Sequence, residues 1–328
     1  MTAINIIGAG VAGLAVATEL NARGLEDIQI FDRAPDLGEA SCSWWAGGML
    51  APWCERESAE EPVVRHGEQA ADWWHRHTSG VTRNGSLVLA LPRDRSELKR
   101  FARRTSEHRA VDAVEIEALE PDLGGRFQQG LMFNSEAHLN PRHATRALFD
   151  RLREAGVEVN FETDGADARQ ADLTIDCRGL AARDRLPELR GVKGEMLILH
   201  CPDVTLQRPV RLLHPRIPLY IVPREDHLFM VGATMIESHE RNRISARSML
   251  ELLGSAYALH PAFGEAEIVE IGVDARPAFP DNLPRIYQDG ATIYANGLYR
   301  HGFLLAPALA RMTADLIERP ASRPEFLQ

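Results

Sequence analysis

The residues with the clearest chemical potential stand at the start of the chain. Ile4 to Ile7 form a short apolar run that stops at Gly8-Ala9-Gly10-Val11-Ala12-Gly13, after which Leu14, Ala17 and Leu20 recur at helical spacing up to the breaker Gly24. Ile28, Ile30 and Phe31 then predict a second strand that ends at Asp32, at the spacing where an acid completes a dinucleotide fingerprint. Glycines permit the tight turn and bring a pyrophosphate onto the helix N-terminus, where unpaired amides and the helix dipole favour an anion. The acid accepts from a ribose diol. Glycines alone could equally open an ordinary helix, but strand, loop, helix, strand and acid in register point to a dinucleotide. The candidate contacts are Gly8, Gly10, Val11, Ala12, Gly13, Asp32 and Arg33.

The fingerprint does not choose between FAD and NAD. The segment Gly38 to Pro52 leans towards a flavin: Trp44, Trp45, Met49 and Leu50 are too apolar for a solvated loop, and the Gly47-Gly48 pair lets backbone pass flat against an isoalloxazine ring. Cys42, Ser43, Gly47, Gly48 and Met49 are therefore candidate cofactor contacts. Farther on, the apolar stretch Asp172 to Cys177 ends at Arg178-Gly179-Leu180, a glycine turn of the kind that closes a parallel strand beside a cofactor, which adds Gly179.

These residues need a scaffold, and the rest of the chain outlines one. Val63 to His77 reads as a helix in which Trp73 and Trp74 pack, strand-like pieces at Ser86 to Leu91 and Leu131 to Asn134 flank charged helical runs from Arg93 to Glu120, and His138 to Ala155 reads as a helix with Pro141 in its first turn. Glu195 to His200, Tyr220 to Pro223, His227 to Thr234 and Glu267 to Ala275 follow as strands, with one helix near Ser245 to Leu259. Strands without intervening helices predict an antiparallel sheet. Thr292 to Ala295 is a last strand, followed by a glycine-containing turn and a helix carrying Leu305, Leu309, Met312 and Leu316 on one face. The expected fold class is α/β: a Rossmann-like FAD-binding domain built from residues 1–82, 136–186 and 272–328, with an inserted α+β substrate domain on an antiparallel sheet from residues 83–135 and 187–271.

Composition narrows the partners. A chain of 328 residues with 45% hydrophobic and 26% charged residues has enough core for two domains and is not disordered. The net charge of −10 argues against nucleic acid or an anionic membrane, and an anionic ligand would need a local pocket of buried arginines. Cys42, Cys54, Cys177 and Cys201 form no CxxC pair, which argues against a metal site or disulfide framework and for a reduced, cytoplasmic setting. No stretch reaches the ~18 apolar residues of a membrane span, and the N-terminus opens directly into the first strand, so a soluble, unprocessed chain is expected. A homo-oligomer is also expected.

With these residues in view, the sequence resembles the FAD-dependent D-amino acid oxidase family, and within it the glycine oxidases that serve thiamine biosynthesis. The resemblance runs from Ile4 to about Ile317 and rests on the glycine fingerprint, Ala46-Gly47-Gly48-Met49-Leu50-Ala51-Pro52, Tyr220-Ile221-Val222-Pro223-Arg224, Val231-Gly232-Ala233-Thr234-Met235, Ala275-Arg276-Pro277, and Tyr299-Arg300-His301-Gly302-Phe303-Leu304-Leu305-Ala306-Pro307. It implies that Arg276 holds the substrate carboxylate, that Tyr220 lies over the substrate, that Arg300 stands near the flavin, and that Gly47, Gly48 and Met49 line the ring. His301 stands where the family often has a smaller polar residue, Leu298 where it often has histidine, and the chain is short near Thr163 to Ala171.

Oxidising an α-amino acid at Cα requires the C–H bond to face flavin N5 while the carboxylate is held. A planar guanidinium does this with two charge-assisted hydrogen bonds. Arg276 could instead form a structural ion pair with Asp274 or Asp281. Hydride transfer to the flavin needs no enzymic base if the amine arrives neutral, and His214, His227 and His301 are expected to be surface or packed residues. Negative charge on the reduced flavin suits the N-terminus of the last helix, so His301, Gly302, Phe303 and Leu304 are candidate contacts; a plain helix start with Pro307 in its first turn is compatible. FAD is expected to be non-covalent. The expected substrates are a small amino acid and dioxygen, giving 2-oxo acid, ammonia and hydrogen peroxide, and the resemblance implies that glycine imine could feed thiazole synthesis. Competing readings are a dehydrogenase that passes electrons to a carrier and a maturation flavoprotein acting on another protein.

Overall fold

The strand Ile4–Ile7 is buried along its whole length, which explains its apolar run without alternation: a central parallel strand is covered on both faces. Its one polar side chain, Asn5, donates to the carbonyl of Arg169 at 2.6 Å. In the computed structural model, which describes residues 2–215 and 219–328, this strand sits inside a six-stranded sheet ordered Arg285–Asp289, Thr292–Asn296, Leu173–Asp176, Ile4–Ile7, Ile28–Phe31, Glu158–Asn160. All neighbours are parallel except the edge strand Arg285–Asp289. The helix Val11–Ala22 packs its Leu14, Val16 and Leu20 into one core with Leu305 and Leu309 of the final helix Gly302–Glu318. Each such leucine, fully buried, contributes roughly 1.5–3 kcal/mol relative to exposure. Pro307 stands in the second turn of that helix, not the first as expected, because the helix opens at Gly302.

The second sheet is larger. Its order is Ile236–Glu237, Arg190–His200, Leu228–Gly232, Leu219–Pro223, Val210–Leu213, Ser86–Ala90, Gln129–Phe133, Arg109–Asp112, and Glu267–Ala278 lies along Arg190–His200. The expected antiparallel pattern holds apart from the parallel pair Ser86–Ala90 and Val210–Leu213, where strands from the two inserted segments meet. Glu267–Ala278 runs unbroken across residue 272 and pairs from Glu267 to Ala278, so its second half belongs to this sheet as much as its first. The helix Ala246–Leu259, capped by Ser245, covers the sheet with Leu252, Ala256 and Leu259. Between Val63 and His77 there are two helices, Glu61–Gly67 and Ala70–His77, rather than one, and Trp73 and Trp74 are buried as expected.

A small three-stranded sheet joins the layers: Met49–Leu50 pairs with Ala137–Leu139, which pairs with Val81–Thr82. The helix Pro141–Glu154 follows, with Asn140 accepting the Arg142 amide at 3.1 Å and Pro141 in its first turn. Gly48 makes this junction possible. It has φ +80°, and a Cβ there would stand 2.8 Å from Pro141 Cδ, so only glycine fits both the backbone and the space.

Candidate active site

The C-terminal ends of the parallel strands open into a cleft of about 1640 Å³, its open mouth included, at the place where α/β sheets bind ligands. One wall is the turn into Val11–Ala22. Ala9 donates its amide to Asp32 Oδ2 at 2.6 Å, Ala34 donates to Asp32 Oδ1 at 2.8 Å, and Val11 donates to Ser43 Oγ at 3.0 Å. The amides of Ala12 and Gly13 have no acceptor among the described residues, and Gly10 supplies no side-chain cap. This helix end is thus left open to an anion. Asp32 thus staples the glycine turn to the end of the second strand.

Every residue expected from the sequence to touch cofactor or substrate lines this cleft except Gly13. Gly13 instead backs onto the first strand, where a Cβ would come within 3.1 Å of the Gly8 carbonyl carbon, so its role is close helix–strand packing. Thr163, Asp164 and Gly165, in the short segment, also line the cleft. The lining runs without a gap from Asp32 and Arg33 past the open helix end to Gly47–Met49 and the turn 299–304, and this extended shape with an anion site in its wall fits a dinucleotide such as FAD. Both lining cysteines have the thiol favoured over the thiolate. Burial, with Asp274 nearby, pushes Cys42 up to about 12, and burial raises Cys177 as well, which disfavours the nucleophilic thiolate at both.

The far end of the cleft is rich in charge. Arg276 is half-buried, and its Nη1 donates to the carbonyl of Thr234 at 3.0 Å. No carboxylate pairs with it among the described residues. Both acids that could have taken it are engaged elsewhere: Asp274 accepts from Arg241 Nε at 2.5 Å and Nη2 at 3.0 Å, and Asp281 lies 3.5 Å from Arg285. Tyr220 faces the same space with its ring against Gly47, and its hydroxyl has no partner among the described residues. Burial raises its pKa, so it stays a hydroxyl donor.

Arg300 is in a different position. Its Nη2 lies 2.9 Å from Glu55 Oε2 and donates to Ser58 Oγ at 2.7 Å, while Glu55 Oε1 accepts from Arg211 Nη2 at 2.6 Å. Glu55 is buried, which works to raise its pKa, but Arg300 and Arg211 outweigh burial and hold it well below the usual carboxylate range. His301 Nδ1 lies 3.6 Å from the same carboxylate; burial, with the arginines Arg300, Arg211 and Arg276, outweighs that attraction and pushes His301 down to about 3, leaving a neutral imidazole. Sequence reasoning missed Glu55, Arg211 and Arg241. Glu55 stands at the head of an acidic, solvent-like stretch, and its burial follows from arginines far away in the chain. His214 and His227 do not line the cleft, and His227 is exposed with Nδ1 3.2 Å from the Val204 carbonyl.

A Rossmann-like sheet whose strand ends open into a dinucleotide cleft, closed by an antiparallel sheet that presents an unpaired arginine, defines a dinucleotide-dependent oxidoreductase. The chain belongs to the FAD dependent oxidoreductase (DAO) family, whose profile matches residues 4–316. It is 54% identical over 323 residues to a putative thiamine biosynthesis oxidoreductase ThiO from Rhizobium etli, covering 98% of both chains. It is 29% identical to a glycine oxidase from Pseudomonas aeruginosa, covering 95% of this chain and 93% of that one. The crystal structure of glycine oxidase from Geobacillus kaustophilus has the same fold, with a TM-score of 0.81 at 23% identity over 99% of this chain and 96% of the other. No helix among the described residues is long and apolar enough to cross a membrane.

Proposed function

We propose that the protein is an FAD-dependent oxidase of glycine or a similarly small amino acid or amine, which it converts with dioxygen and water into 2-oxo acid, ammonia and hydrogen peroxide. The observation that carries this reading is Arg276: a half-buried guanidinium in the cleft, beside the Tyr220 ring, with no carboxylate partner among the described residues. Non-covalent FAD, when bound, supplies the two-electron acceptor. Gly8, Gly10, Val11 and Ala12 would hold its pyrophosphate, Asp32 and Arg33 its adenosine side, and Cys42, Ser43, Gly47, Gly48, Met49, Gly179 and His301 to Leu304 the remainder. Arg276 binds and orients the substrate carboxylate through the donors that Thr234 does not use, and Tyr220 covers the substrate and donates to it. Met49 and Tyr220 confine the pocket to small side chains. Arg300, already paired with Glu55, shapes the pocket without competing for the carboxylate. His301, a neutral imidazole, leaves the amine proton to be lost on binding.

The same reading makes the FAD-binding part residues 1–82, 136–186 and 272–328, sharing the strand Glu267–Ala278 with the substrate part. It places the enzyme in the cytoplasm as a homo-oligomer, and the exposed Ile268, Val269 and Ile271 along one strand suit burial against a second copy. The similarity to ThiO supports a role in supplying glycine imine for thiazole formation. The decisive experiment is an anaerobic half-reaction: purified protein is mixed in turn with glycine, sarcosine, D-alanine and D-proline, flavin bleaching is followed, air is admitted and peroxide is assayed. Bleaching by glycine with peroxide on re-aeration is expected; a flavin reduced but not reoxidised by air would make the protein a dehydrogenase.

A further inference from the structure

Arg276 reaches its place across a glycine. In the register between Arg190–His200 and Glu267–Ala278, Val192 lies opposite Arg276 and Gly194 opposite Asp274. Arg276 and Gly194 are therefore diagonal neighbours on one face, roughly 7–8 Å apart at Cα and within reach of a long side chain. The guanidinium lies directly over Gly194. A Cβ there would stand 2.6 Å from Nη1 and nearer still to Cζ and Nη2, well inside the 3.4 Å at which ordinary contact begins. The backbone at Gly194 is ordinary strand and would accept any residue, so what the position requires is empty space. Glycine weakens a strand interior and marks close approach of another group, and here that group is the side chain of Arg276.

The other restraint on the guanidinium is fixed with equal care. Its acceptor, the Thr234 carbonyl, belongs to a residue locked onto Glu195: the Thr234 amide donates to the Glu195 carbonyl at 3.2 Å, its hydroxyl donates to Glu195 Oε2 at 2.9 Å, and the Glu195 amide donates to that hydroxyl at 2.9 Å. Glu195 is fully buried and also accepts from the Ser245 amide at 3.0 Å and pairs with Lys193 at 3.2 Å. Lys193-Gly194-Glu195 thus supplies a flat floor and holds Thr234, whose carbonyl is the acceptor, in place.

We propose that Gly194 is a positioning residue for the substrate carboxylate, acting through Arg276: the absence of a side chain at 194 sets the height of the guanidinium in the cleft. This rests on the reading of Arg276 as the carboxylate handle. A methyl group at 194 would have to lift the guanidinium by about 1 Å, and a misplacement of about 1 Å can cost on the order of 10²-fold in catalysis.

The test uses the FAD-loaded enzyme and four variants: Gly194→Ala, Arg276→Ala, the double variant of these two, and Gly194→Ala in the Arg276→Lys background. Glycine kinetics are measured alongside the Kd of acetate, a bare carboxylate, read from the perturbation of the flavin spectrum. Gly194→Ala is expected to lower kcat/KM for glycine by about tenfold to 10²-fold and to raise the acetate Kd, with unchanged flavin occupancy. In the Arg276→Ala background it should change neither further, and in the Arg276→Lys background its penalty should shrink, because the slimmer head group clears the added methyl. An unchanged acetate Kd in Gly194→Ala would overturn the proposal, as would a penalty that persists at full size in the Arg276→Ala background. If Arg276→Ala alone leaves acetate binding intact, it is the handle assignment that fails, and the proposal with it.

Discussion

Glu55 is where the charge arrangement can be tested most sharply. Glu55→Gln keeps the shape of the side chain and removes its charge. In the parent, Oε1 lies 2.6 Å from Arg211 and Oε2 2.9 Å from Arg300, with side-chain exposures of 10% for Glu55, 13% for Arg211 and 21% for Arg300. Without the carboxylate, Arg211 is left with the more distant Glu136, and Arg300 with the Ser58 hydroxyl and Met235 Sδ. Breaking a buried ion pair by removing one partner costs about 3–5 kcal/mol, a large part of a total stability of about 5–15 kcal/mol. At roughly 2 °C per kcal/mol for a chain of this size, the melting temperature should fall by about 6–10 °C. The pH dependence gives a second signature. The folded pKa of Glu55 lies below its unfolded value of 4.5, so its contribution is fully present above about that pH and is lost as pH falls through the folded value. Parent and Glu55→Gln should therefore differ most near neutrality and converge in acid. Calorimetry of the FAD-loaded proteins from pH 7 to pH 3 measures both effects. Equal melting temperatures at pH 7, or a difference that does not narrow in acid, would refute the view that this carboxylate holds the two arginines.

Arg276→Ala should leave the flavin bound and cost about 2–5 kcal/mol in carboxylate affinity, with acetate and glycine weakened together and an uncharged amine little affected; Lys at that position should restore only part of it, as titration of the flavin spectrum will show. Asp32→Ala removes the acceptor for both Ala9 and Ala34 amides as well as the proposed ribose contact, and with hydrogen bonds to a charged group contributing about 1.5–3 kcal/mol each, flavin affinity should fall at least tenfold, measured by dialysis and released absorbance. Gly48→Ala forces a side chain into φ +80° against Pro141 and should lower the melting temperature and flavin occupancy together, the strain being about 1–3 kcal/mol before the clash is counted.

The parts of the fold that depend on local periodicity and turn chemistry were legible. The strand, glycine turn and helix from Ile4 to Ala22 need only neighbours in sequence, and so does the succession of strands without intervening helices that predicts an antiparallel sheet from Glu195 onwards. Limits arose where distant segments decide. The helix expected over Val63 to His77 is broken between Gly67 and Ala70, and Val210–Leu213 takes a parallel partner because it meets Ser86–Ala90, a strand from the other insertion.

The site shows the same division. Arg211, Arg241, Arg276 and Arg300 gather around the substrate end of the cleft in a chain of net charge −10; Arg241 pairs with Asp274, while Arg211 and Arg300 share the one carboxylate of Glu55. Sequence identifies the residue types, but which cation remains free is decided by pairings across 33 residues for Arg241 with Asp274 and 156 for Arg211 with Glu55. Because Arg241 occupies Asp274, Arg276 escapes the ion pair that its own strand offers two residues away; because Glu55 occupies Arg300, the cleft holds one unclaimed guanidinium at this end among the described residues rather than two. A single free cation fixes a small anionic substrate in one orientation, whereas two would let it bind in either of two poses. The acids buried around the pocket thus act on specificity by subtraction, and removing Asp274 as well as Glu55 should give an enzyme that binds carboxylates more tightly yet turns them over more slowly, which acetate titration and glycine kinetics on the double variant Glu55→Gln/Asp274→Asn would register as a fall in Kd together with a fall in kcat.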